Sequence, residues 1–132
     1  MPYINATVQD ALLDEIIGSG AFSAAGNFYL ALYTVAPTDA GGGTEVSGGS
    51  YARVTASEST AFAVASGGSK VNSADLTFPA CTSAWGTVVA WALHNHATND
   101  ALVIWGPLGE NVIIDTSDVA VFVAGSLVID LT

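Results

Sequence analysis

Hydrophobic spacing divides the chain into a short helical beginning and a long strand-like remainder. In "NATVQDALLDEIIG", Val8, Ala11, Leu12 and Ile16, with Leu13 and Ile17 beside them, recur at helical spacing and form one apolar stripe. Asn5 or Thr7 is placed to cap it, Thr7 and Asp10 loosely resemble a capping box, and Gly18 is placed to end it. The pattern predicts a short N-terminal amphipathic helix from about Thr7 to Ile17, lying across one end of a sheet.

Beyond the helix, alternation takes over. In "NFYLALYT" Phe28, Leu30 and Leu32 alternate with Tyr29, Ala31 and Tyr33, which sends one row to a core and the tyrosines to a second, partly exposed row. "YARVTA", "AFAVA", "ADLTFP", "GTVVAWALHNH", "ALVIWG", "NVIID", "VAVFVAG" and "LVIDLT" also read as strands. Gly67-Gly68, Pro79, Gly86, Asn99-Asp100, Gly109 and Gly125 punctuate them. In the last run Leu127, Ile129 and Leu131 alternate with Val128, Asp130 and Thr132, so one face there is wet or meets a neighbour. The expected fold is all-β: a β-sandwich, jelly-roll-like, with one short N-terminal amphipathic helix. It forms one domain over residues 1–132, with an arm and helix in 1–20 and the sandwich in 27–132.

Composition sharpens this picture. Hydrophobic residues make up 51% and charged residues 11%, against about 25% charged in ordinary soluble domains. Much of the surface is therefore small, uncharged or apolar, and such a surface is normally covered in a larger assembly. Two cations against twelve carboxylates give a formal charge of -10, which repels phosphate backbones and anionic lipid. Neither nucleic acid nor a membrane is an expected partner. No apolar run reaches membrane-spanning length, and "MPYINATVQD" has neither the basic segment nor the apolar block of a signal peptide, so a cytosolic product, or part of something assembled there, is expected. The single Cys81 reads as a small buried hydrophobe.

Residues 32–54, "LYTVAPTDAGGGTEVSGGSYARV", hold five of the 14 glycines. The lysine and Ser/Thr of a phosphate-binding loop are missing and Asp39 and Glu45 have the wrong sign, so the stretch reads as a connecting or docking loop. Its glycines let backbone approach a partner closely, and the loop is expected to be mobile alone and ordered on assembly.

This stretch, together with "ASGGSKVNSADLTFPACTSAWGTV", "LVIWGPL" and the closing "FVAGSLVIDL", resembles a family of tailed-bacteriophage virion structural proteins. Its members include tail-fibre-like proteins and capsid cement, or decoration, proteins. The resemblance covers roughly Asn27 to Thr132, and "ALHNHATND" departs from it. It implies a capsid cement protein on the outer surface of the shell, bridging subunits of the major capsid protein and self-associating as a dimer or trimer. The alternatives are a tail or tail-fibre component, structural or receptor-binding, and, from another class, a carbohydrate-binding module.

The expected partner-binding residues are Tyr3 and Ile4 in an N-terminal arm that also includes Pro2, then Gly42, Gly43, Glu45, Tyr51 and Arg53 in and after the loop. Arg53, one of two cations, is expected to pair with a carboxylate such as Glu45, within the loop or across a subunit boundary. Trp85, Trp91, Trp105, Tyr29, Tyr33 and Tyr51 are candidate interface anchors, with Trp91 assigned to the core and Tyr51 to the surface. His94 and His96, i and i+2 on a strand, would point to one face and could share a metal with Asn95 or Asp100 nearby; an exposed pair near a loop is the ordinary explanation. Asp115 and Asp118 likewise fit a solvated turn better than a calcium site. No G-x-S-x-G or H-E-x-x-H motif occurs, and Ser19 in "GSG" follows the helix, so neither enzymatic activity nor a cofactor is expected.

Overall fold

Asn5 ends a two-residue strand and starts the helix. The computed structural model describes residues 3–18, 26–99 and 101–130, and the expectations for Pro2, Ser19, Asp100, Leu131 and Thr132 lie outside them. Strand β1 (Tyr3–Ile4) leads into helix α1 (Ala6–Ile17), where Asn5 Oδ1 accepts from the Thr7 N–H at 3.0 Å. At the other end the Gly18 N–H donates to the Asp14 carbonyl at 3.0 Å. The caps are those the sequence offers. The packing is different, because Val8, Ala11 and Leu12 are only half-buried while Leu13, Ile16 and Ile17 are exposed. The helix does not lie across the sheet with its apolar stripe covered.

The strands follow as β2 (Asn27–Val35), β3 (Thr44–Glu45), β4 (Val54–Ser57), β5 (Ser69–Val71), β6 (Leu76–Thr77), β7 (Gly86–His94), β8 (Leu102–Ile114), β9 (Val121–Phe122) and β10 (Val128–Asp130). Among the described residues one sheet runs β1-β8-β7-β2-β3, with β4 also paired to β2, and every pairing is antiparallel. Two ribbons, β10-β5 and β6-β9, stand apart from it. The fold is all-β with one short helix, and the second layer is built from ribbons and loops rather than from a complete second sheet.

Strand register arranges the core in rows. Leu30, Leu93, Ile104 and Ile4 are successive neighbours across β2, β7, β8 and β1, and Leu32, Trp91 and Gly106 form the adjoining row. These residues meet Phe62, Leu76, Phe78, Cys81, Trp85 and Leu127 from the ribbon layer in one buried cluster. On the opposite face Ala31, Ala92, Trp105 and Tyr3 form a third row, and the Tyr3 and Trp105 rings stack at 4.6 Å. Small alanines and Tyr33 are buried there, with Ala36 of the β2–β3 loop packed against them.

Two strand assignments change. "AFAVA" forms no strand: Phe62 makes a single bridge to Asn72 and Val64 is 92% exposed. "ALVIWG" and "NVIID" fuse into β8, where the register jumps from Ala90↔Pro107 to Val88↔Val112, so Gly109 lies in a bulge rather than at a break. Gly106 serves packing: a Cβ there would stand 2.8 Å from Trp91 Cζ2, because the indole lies over its backbone. Replacing Gly106 by Ala is expected to lower stability by about 1–3 kcal/mol through overpacking. Thermal unfolding checks this, and an unchanged midpoint would show that the Trp91 ring has room to move.

Candidate partner-binding surface

Arg53 sits just before β4, and its guanidinium finds acceptors on every side. Nε and Nη2 donate to Glu45 Oε1 and Oε2, each at 2.8 Å, in a two-pronged ion pair. Nη1 donates to the carbonyls of His96 and Asn99, each at 2.8 Å, which ties the turn after β7 to the same corner. The Arg53 side chain is 6% exposed and that of Glu45 24%. Pairing of a guanidinium with a carboxylate in this planar geometry is strong because both hydrogen bonds are charge-assisted. The pair expected from the sequence lies within one subunit.

Tyr51 extends the network inward. Its O–H donates to Glu45 Oε1 at 2.7 Å and its oxygen accepts from the Leu32 N–H of β2 at 3.0 Å. The ring stands edge-on to Trp85 at 5.3 Å and stacks near Phe78 at 6.1 Å. Tyr51 is therefore a half-buried bracket and not the surface anchor expected. That expectation fails because the rings enclosing it come from segments distant in sequence.

The glycine-rich loop is tied down within the subunit. Thr38 and Gly41 exchange backbone hydrogen bonds of 2.9 and 2.8 Å, and the Val46 N–H donates to the Leu32 carbonyl at 2.9 Å. Gly43 has φ of +78°, and a Cβ there would stand 2.6 Å from the Val35 carbonyl oxygen. Gly49 has φ of +56°, and its own carbonyl accepts from Trp85 Nε1 at 3.0 Å. At both positions the close backbone approach is to the chain itself, so ordering of the loop needs no partner. Gly42 presents open space to a Cβ, although its φ of +78° still favours glycine.

Tyr3 and Ile4 form edge strand β1 and cover β8 only at Trp105 and Ile104. Tyr3 is 46% exposed. Trp105 is half-buried, and its Nε1 is buried without a hydrogen-bond partner among the described residues. Of the candidate anchors, Trp85, Trp91 and Tyr33 are buried in the subunit, while Tyr29, Tyr51 and Trp105 are half-buried.

The histidines do not converge. His94 is fully buried in β7, with Nε2 2.9 Å from the Tyr33 hydroxyl and Nδ1 accepting from the Ala101 N–H at 3.3 Å. His96 is exposed beyond the strand end, and its Nδ1 accepts from the Thr98 and Asn99 N–H groups at 3.1 Å each. The i, i+2 argument fails because β7 ends at His94. Asp118 Oδ2 accepts from the Asp115 N–H at 2.9 Å and closes a turn on itself. Among the described residues no three potential ligands cluster to hold a metal.

Sequence reasoning missed Asn72. It is 1% exposed, its Nδ2 donates to the carbonyls of Ala74, Phe122 and Val123, and its Oδ1 accepts from the Leu127 N–H at 2.9 Å. This one side chain joins the two ribbons of the second layer. A lone Asn between strand-like runs was its only signal, and that signal ordinarily marks a turn.

A protein-family model described as podophage GP4 fiber I protein gp80 matches residues 3–130. No curated protein matches the chain.

Electrostatics of the corner predict a pH response. Burial raises the Glu45 pKa, but hydrogen bonds from Arg53 and Tyr51 outweigh it and hold the carboxyl below its ordinary value. A carboxyl depressed on folding contributes stability above its unfolded pKa, and that stability is lost as pH falls through the folded pKa. Burial pushes the Tyr51 hydroxyl up, reinforced by the Glu45 charge, so its contribution is full below its ordinary value of 10.0 and declines above it. Replacing Glu45 by Gln strands a nearly buried guanidinium and is expected to cost about 3 kcal/mol at neutral pH. It should also flatten the acid limb of the stability curve, as read by denaturant unfolding across pH. An unaltered acid limb would show that other carboxyls dominate.

Proposed function

The chain belongs to the podophage GP4 fiber I protein gp80 family and is a structural protein of a tailed-phage virion, and from that premise we propose that it is a fibre subunit acting through contact area. The proposed subunit turns over no substrate. The supporting observation is the division of labour between inside and outside. The Arg53–Glu45 charges neutralise each other within the subunit, while apolar side chains stand out at two separate places. Leu13, Ile16 and Ile17 project from α1, and Val119, Val121 and Val123 alternate along one extended segment, each about half exposed. Apolar patches of this kind are normally covered by neighbours, and many modest contacts add up in a repeated assembly.

Capsid cement is the second reading. Two separated apolar patches suit a subunit that bridges two neighbours on a shell as well as they suit one stacked in a fibre. In that case the partner is the major capsid protein and the location the outer capsid surface. The carbohydrate-binding reading loses support, because Trp85, Trp91 and Tyr33 are buried and Tyr51 is turned inward.

Separating tails from capsids in purified virions and quantifying the chain in each fraction distinguishes the two assemblies. The fibre reading predicts that it stays with tails at a copy number matching their symmetry. Recovery with emptied shells, at a copy number following the capsomers, would replace it with cement.

A further inference from the structure

Among the apolar surfaces that the described residues leave uncovered, one projects and another is recessed. The convex one is the last turn of α1, where exposure climbs from 56% at Leu13 to 75% at Ile16 and 81% at Ile17. The first turn is anchored: the Asn5 N–H donates to the Val103 carbonyl at 2.9 Å and the Ala6 N–H to the Asp39 carbonyl at 3.0 Å. Asn5, Thr7 and Val8 thus lie beside Ala40 and Gly41 of the loop that covers the sheet face opposite the main core. Fixed there, the helix carries Ile16 and Ile17 away from the body.

The concave surface lies on the main-core side. A groove of about 510 Å³ is walled by Phe28, Phe62, Leu93, Ile104 and Ile129, with Lys70 in its lining. Each surface offers what the other needs. We propose that the last turn of α1 from one copy seats in this groove of a second copy.

Charge supports the choice of occupant. The helix carries Asp10, Asp14 and Glu15 and no cation. Of the chain's two cations, Arg53 is taken up by Glu45, whereas Lys70 lines the apolar groove, where its Nζ donates to the Ala63 carbonyl at 2.8 Å and has no ion-pair partner among the described residues. Glu58 shares the lining, which favours entry with the acidic helix face toward Lys70. An amphipathic helix in an apolar groove is a recurrent docking mode. Because knob and groove are different surfaces, the contact is heterologous and generates a ring or a filament. The inference concerns the isolated chain and holds whether the assembly is a fibre or a shell.

Cross-linking the full-length chain tests it. Chains with Ile16→Cys are mixed with chains carrying Ser59→Cys, at the groove lining, under mild oxidation; Cys81, 2% exposed, does not compete. The expected product is a disulfide-linked pair containing one chain of each kind. Ile16→Asp, at an already exposed position, should leave thermal unfolding unchanged while weakening self-association by about tenfold or more in light scattering. Only like-with-like dimers, only internal disulfides in an Ile16→Cys/Ser59→Cys chain, or a wild-type chain that stays monomeric would each overturn the proposal.

Discussion

A guanidinium that is 6% exposed must be neutralised where it stands, and the layout of residues 44–54 follows from how Arg53 achieves this. Glu45 has to be in β3 to reach it, which fixes the end of the glycine-rich loop. Tyr51 has to turn inward to donate to Glu45, which fixes the entry to β4. The Tyr51 oxygen then satisfies the Leu32 N–H of the central strand, so one ion pair is wired to the middle of the sheet. Removing either charge leaves the other in a low-dielectric site, and that loss is far larger than the net worth of an exposed pair. With 11% charged residues, the chain has few other electrostatic devices on which to rely.

Opposite the sheet, the second layer has a different problem. Its ribbons are two or three residues long, too short to stand alone, and their backbone groups need partners from elsewhere. Asn72 supplies them by accepting from Leu127 and donating to three carbonyls across both ribbons. The polar clamps at Arg53 and Asn72 bracket an aromatic core of Phe78, Trp85 and Trp91, so polar satisfaction and apolar burial reinforce each other.

Much of this was readable from residue order. The α1 stripe and its Asn5 and Gly18 boundaries follow from spacing, as do β2 and β7 from alternation. The Glu45–Arg53 pair follows from the scarcity of cations. What could not be read depends on distant partners. A stripe shows which helix face is apolar but not what covers it, so spacing alone predicts a packed helix where Leu13 and Ile16 stand exposed. Gly109 resembles a break, because a glycine in a bulge has the same letter as one in a turn. "AFAVA" alternates as a strand does, but only Ala61 and Phe62 reach the core, and Val64 is left 92% exposed. Tyr51 and Asn72 take their roles from residues that only folding brings near.

The protein that emerges closes one ion pair, Arg53–Glu45, within the subunit and leaves apolar side chains of α1 outside. Hydrogen–deuterium exchange on the free chain and on intact virions tests this division most directly. The account predicts that amides of residues 44–54 are equally protected in both states, while those of α1 gain protection only in the particle. Gain of protection at 44–54 with α1 unchanged would contradict it.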